Sequence, residues 1–171
     1  MRPFRFNALR VAAILLVVPT FTSAGTLDDK TPGYFVDRYG PAKQSKTVSS
    51  EMFHAPKSGM VAVKGEFSVR EFRKGDLRVE TIFLLPSLQL AGVRLHFAHA
   101  WTPEQVDAAL AAYGGGWRLL DKGAVTTWIA PDGATASLIL LSLHIQSKAT
   151  TDLVAQTLAE KDAKRKAVLK F

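Results

Sequence analysis

The chain has 171 residues, no cysteine and a formal charge of +7. Without cysteine, thiol catalysis, disulfide stapling and cysteine-ligated zinc are excluded. The charge is concentrated at the two ends: residues 1–24 hold three cations and no acid, residues 160–171 hold five cations and two acids, and the body between carries only +1. A nearly neutral body is not built to coat a phosphate backbone, so nucleic acid is not an expected partner.

In chain order, Arg2, Arg5 and Arg10 precede the apolar run Val11–Val18, and Thr22-Ser23-Ala24 follows it. A basic head, a short apolar stretch and a small-residue exit are the layout of a cleavable signal peptide. The run is far shorter than the roughly 20 residues of a spanning helix. Residues 1–24 are therefore expected to be a signal peptide, cut after Ala24, and the protein to be periplasmic or secreted. It is not expected to be a lipoprotein, because no cysteine follows the apolar run. Residues 25–159 are expected to form one domain, a size that suits a single core.

Pro32 to Tyr39 reads as a short helix, with Pro at its start and Gly40-Pro41 as the stop. Ala42 to Gly59, rich in Lys, Ser and Pro, reads as a long surface connection. A β region follows. Val61, Val63, Phe67 and Val69 alternate within Met60–Arg73, Lys74-Gly75-Asp76 makes a turn, and Val79, Thr81, Phe83 and Leu85 alternate next. Pro86-Ser87 interrupts, and Val93, Leu95 and Phe97 continue the pattern. These runs predict a three-stranded antiparallel meander.

Thr102-Pro103-Glu104-Gln105 is a capping box with Pro at the first helical position. The helix it opens runs to Tyr113, and Gly114–Gly116 ends it. Trp117–Leu120 predicts a short strand, and Val125–Ala130 and Ala134–Gln146 predict a hairpin around Pro131-Asp132-Gly133. Thr150 or Thr151 is expected to cap a last helix, which the basic tail 160–171 continues. The fold class is therefore α+β, an antiparallel sheet with helices packed on one face. The pairs Tyr39-Gly40 and Tyr113-Gly114 each close a helix before β structure, the pattern of a degenerate tandem repeat.

Gly40-Pro41 after a short helix, and the hairpin that follows, resemble small exported bacterial proteins and the two-layer domains of the SmpA/OmlA-like and β-lactamase-inhibitor-like group. The shared residues cover about a quarter of the chain. The resemblance implies binding to other proteins rather than catalysis. The envelope members of that group are often lipoproteins, and this chain lacks the cysteine they use.

Candidate chemistry is sparse. His96 and His99 sit three apart on a predicted strand and so face opposite sides, which argues against a metal pair. Arg94 and His96, together with His144 beside Ser142 and Gln146, are expected on the outward polar faces of two strands, where they could form a ligand patch. Trp117 and Trp128, with Trp101, could make an aromatic platform. Lys161, Lys164, Arg165, Lys166 and Lys170 make the tail basic, suited to weak contact with a membrane surface or an acidic partner. Gly114–Gly116 follows a helix rather than preceding one, unlike a phosphate loop. No nucleophile elbow or acid–base pair is recognisable. No cofactor and no metal are expected. The expectation is an exported, non-catalytic interaction domain whose partner is another envelope or extracellular protein. The alternative is a small-ligand-binding domain using the sheet face and Trp residues.

Overall fold

The computed structural model describes residues 26–168, so the signal-peptide segment and Lys170 lie outside the described residues. The first helix, α1, is Pro32–Tyr39, and Gly40 closes it with φ 80°, a conformation glycine adopts at little cost. The strands β1 (Gln44–Ala55), β2 (Gly59–Lys74), β3 (Leu77–Leu84) and β4 (Gln89–His96) follow. Next come α2 (Pro103–Ala112), β5 (Arg118–Lys122), β6 (Thr126–Ile129), β7 (Thr135–Ile139), β8 (Ser142–Gln146) and α3 (Lys148–Val168). The capping box of α2 forms as expected: the Gln105 amide donates to Thr102 Oγ1 at 3.3 Å and the Thr102 amide to Gln105 Oε1 at 3.0 Å.

All pairings among the described strands are antiparallel, in one sheet of order β1-β2-β3-β4-β8-β7-β6-β5. The chain is an α+β fold. Its element order runs helix then four-strand meander twice, and the two meanders join where β4 pairs with β8.

Two apolar clusters lie on opposite faces. Phe72 pairs with Val79 and both enter the first cluster, with Phe83, Val93, Leu95, Phe35 of α1 and Val106 and Leu110 of α2. Three residues along β2, Val69 pairs with Ile82, and these enter the second cluster with Val61, Val63, Phe67 and Val154 of α3. The stripes of β2 and of β3–β4, both legible as alternation, thus face different sides. The helices α1 and α2 cover one face and α3 lies on the other, which corrects the expectation of helices on one face only: the second stripe, Val61, Val63, Phe67 and Val69, also needs a cover.

Three local expectations are corrected. Residues 44–55, read as a surface connection, form β1. This is an edge strand, exposed on nearly every residue up to Glu51, so its Ser, Thr and Lys are compatible with a strand while resembling a loop in composition. Ala134–Gln146 is two strands, because Leu140-Leu141 forms a tight turn between β7 and β8. Leu140 has φ 54°, and leucine carries no sequence signal for such a turn. The last helix begins at Lys148, where Ser147 Oγ accepts from the Thr150 amide at 3.2 Å, and Thr150 is buried.

The distal half of the β1–β2 hairpin is the feature that shapes the candidate site. The β1–β2 register shifts between Val48 and Ser50, opposite the stretch that contains Gly65. Such a bulge bends and twists a ribbon. Beyond it the hairpin folds over the sheet, and its residues meet β4, β7 and β8, none of which neighbours β1 in the strand order.

Candidate functional site

Register places six polar residues opposite one another on successive strands of the face that this arm crosses. Glu71, Glu80, Arg94, His144, Ser137 and Thr127 run from β2 to β6 in strand order. The sequence places Arg94 and His96 on the outward polar face of one strand and His144 on that of another. The structure brings them together: Arg94 pairs directly with His144, and the His96 and His144 rings lie 6.3 Å apart. The surface is covered rather than solvated, because the arm lies across it. Neither the bend nor the long reach of β1 is legible in the composition of residues 42–59.

Arg94 is engaged through both terminal nitrogens. Its Nη2 donates to Glu51 Oε1 at 2.8 Å and to the Met52 carbonyl, and its Nη1 lies 3.4 Å from Glu80 Oε2. All three charged side chains are only 13–20% exposed. A paired charge in such a setting is costly to strip of its partner. Further along the arm, His54 Nδ1 is 2.8 Å from Ser137 Oγ. The Gln146 side chain accepts from the His54 amide at 2.7 Å and donates to the His54 carbonyl at 2.9 Å. These contacts fasten the arm to the sheet. Glu51, His54, Ser137 and Gln146 take part in a way that no local sequence signal showed, since their partners are 43 to 92 residues distant.

The electrostatics follow from this geometry. His144 is pushed down to about 4, by burial first and then by Arg94 and His96, so it is neutral at ordinary pH. Burial also lowers His54. Glu80 is held at about 2 by His96 first, then by Arg94 and Arg78, against the effect of burial. The His96 contact is long, with Nε2 3.8 Å from Glu80 Oε2, beyond a direct hydrogen bond. The guanidinium of Arg94 is the closer partner.

His96 Nδ1 is also 2.6 Å from Ser142 Oγ. Serine, imidazole and carboxylate in a row invite comparison with a hydrolytic triad. Acyl transfer further requires donors aimed at a developing oxyanion. Ser142 opens β8, which is paired on one side by β4 and on the other by β7. The arrangement reads as a polar network within a covered sheet face, in which His96 Nε2 is buried without a hydrogen-bond partner. Among the described residues, no group of three or more His, Asp or Glu side chains is placed to hold a metal ion.

The Trp residues divide. Trp117 and Trp128 line one open groove of about 230 Å³ at the end of α2, with Leu110, Leu119 and the Gly114–Gly116 turn. Trp117 Nε1 donates to the Leu110 carbonyl at 2.9 Å, which fixes its ring. Trp101 is elsewhere, edge-on to Phe97 at 4.7 Å and bonded to the Leu141 carbonyl. In the tail, α3 continues to Val168 and every residue from Ala159 to Val168 is exposed, including Lys161, Lys164, Arg165 and Lys166.

No family model, curated protein or solved structure matches this chain. Its function therefore has to be read from its own surface. No helix among the described residues is long and apolar enough to cross a membrane.

Proposed function

We propose that this protein is an exported, non-catalytic interaction domain. The observation that carries this reading is the division of its surface. The charged cluster is tied into the fold, while Leu119, 54% exposed, and Leu120, 49% exposed, stand side by side on the edge strand β5. Apolar groups clustered on an otherwise polar surface mark interaction sites. Export rests on the layout of residues 1–24, and N-terminal sequencing of the mature protein is expected to begin at Gly25.

The test is crosslinking capture from native envelope extract, using Gly25–Phe171 and a version ending at Ala159. A discrete partner recovered with both versions supports a binding module acting through the body. Recovery with the longer version alone assigns contact to the basic tail. Hydrolysis of ester or peptide substrates, lost on His96→Ala, would overturn the non-catalytic reading.

A second reading, small-ligand binding, is favoured by the convergence of Trp117 and Trp128 on one groove. It predicts a ligand-dependent rise in melting temperature together with a change in Trp fluorescence. The groove is smaller than the roughly 300–1,000 Å³ of a typical ligand pocket, which weighs toward a protein side chain as its occupant.

A further inference from the structure

We propose that β5 and the adjacent Trp117/Trp128 groove form a docking site for an extended segment of another protein. That segment adds as a strand at the free edge of the sheet, places one large apolar side chain in the groove, and carries acidic residues opposite Arg118 and Lys122. This inference rests on the interaction-domain reading and specifies its surface.

The edge comes first. β5 ends the strand order and is paired by β6 alone, so its outer side offers backbone donors and acceptors without a strand partner. All five of its residues are exposed. Leucine on an exposed edge is unusual company for the devices that normally guard edges. Here Leu119 and Leu120 sit between the charged residues Arg118 and Asp121. Strand addition takes its affinity from main-chain hydrogen bonds and its specificity from pockets for alternate side chains.

The groove supplies such a pocket. Leu119 belongs both to β5 and to the groove wall, so a segment paired along the edge passes the groove mouth. A volume of about 230 Å³ matches one bulky side chain better than a free ligand. The glycine turn leaves one wall without side chains, and the Trp117 ring is held by its bond to the Leu110 carbonyl. A rigid aromatic pocket of this kind suits an anchoring side chain.

Charge selects the class of partner. A second copy paired antiparallel about Leu120 would set Arg118 against Lys122 twice, and like charges opposite one another destabilise a strand pair. Acidic residues at those two positions replace repulsion with attraction. The edge is also short and irregular, with a register shift between Leu119 and Asp121. That favours a single bound segment over open-ended growth of the sheet.

The test combines a mapped photo-crosslink with a defined probe. Benzoylphenylalanine is placed at Leu120, Ser45 or Leu140 of the full chain in the native envelope. In parallel, twelve-residue peptides are selected from a random displayed library on the mature protein. The expected result is an adduct at Leu120, with selected peptides that alternate, carry an aromatic or aliphatic anchor and flank it with acids. These peptides should change Trp fluorescence and lose at least tenfold in affinity on Leu119→Asp, but not on Leu140→Asp. Both variants alter exposed side chains and should keep the wild-type melting temperature. Adducts at Ser45 or Leu140 without Leu120 would overturn the β5 assignment and leave the interaction reading standing. No adduct at any of the three positions would overturn the β5 assignment, and together with no partner captured by Gly25–Phe171 it would overturn both. Selected peptides indifferent to Leu119→Asp would also overturn the assignment.

Discussion

The phenolic oxygens of Tyr39 and Tyr113 lie 3.4 Å apart, joining the last residue of α1 to the residue that closes α2. Phe35 stacks near both rings, at 6.4 and 6.5 Å. The two helix ends therefore meet over one aromatic group on the first cluster. Tyr113 is 2% exposed, and the hydroxyl contact is long, while Tyr39 also accepts from Arg38 Nε at 2.9 Å. Ring burial should outweigh the hydroxyl. Tyr113→Phe is expected to cost no more than about 1 kcal/mol, and Tyr113→Ala about 3–5 kcal/mol. Urea unfolding of the two variants measures the difference.

Thr81 offers a gain. It is fully buried between Val79 and Phe83, and its Oγ1 has no hydrogen-bond partner. Removing an unsatisfied hydroxyl while keeping the side-chain shape should stabilise the fold. Thr81→Val is expected to raise the unfolding free energy by about 1 kcal/mol, seen as a higher urea midpoint at unchanged slope.

Leu140 is 89% exposed with φ 54°, a backbone region in which leucine is strained. Asparagine tolerates that region better. Leu140→Asn is therefore expected to leave stability unchanged or raise it by up to about 1 kcal/mol. A loss of stability in thermal melts would show that the leucine packs where the structure has it exposed.

Acid should loosen the arm in two stages. His144 has a folded value near 4, below its ordinary 6.5, so it binds a proton less readily when folded. Its contribution is complete above pH 6.5 and is lost as pH falls toward 4, in total at most about 3 kcal/mol. The lowered value of His54 acts in the same direction. Glu80, held at about 2, adds stability above pH 4.5 that is lost as pH falls toward 2. Urea midpoints from pH 7 to pH 3 should decline first in the histidine range, and His144→Phe should flatten that first decline.

Local rules made much of the fold legible. Alternation in 61–69 and 79–83, the box Thr102–Gln105 and the stop Gly40-Pro41 each describe chemistry confined to a few residues. What escaped depends on distant partners. β1 is a strand because it pairs with β2, though its Ser, Thr and Lys look like a loop. The turn at Leu140-Leu141 is imposed by the pairing of β7 with β8. Strand alternation showed which side Arg94, His96 and His144 take, but their meeting depends on the pairing of β4 with β8, which no local signal carries. That Glu51 and His54 would close over them was not legible, because Gly65 within β2 marks a bulge but not where the ribbon leads beyond it. The groove was half legible: Trp117 and Trp128 stood out as aromatics, but only pairing of β5 with β6 sets them side by side.

Unfolding of Arg94→Ala tests most directly whether the charged cluster is a fastening of the fold, leaving recognition to the exposed apolar edge. The guanidinium joins Glu51 and Met52 of the arm to Glu80 of the sheet, all largely withdrawn from water. Its removal takes the ion-pair partner from Glu51 and leaves Glu80 with the more exposed Arg78 at 3.6 Å. The expected result is a loss of about 3–5 kcal/mol in urea unfolding at pH 7. Stability close to the wild type would contradict the account and return Arg94, His96 and His144 to the role of a ligand-binding patch.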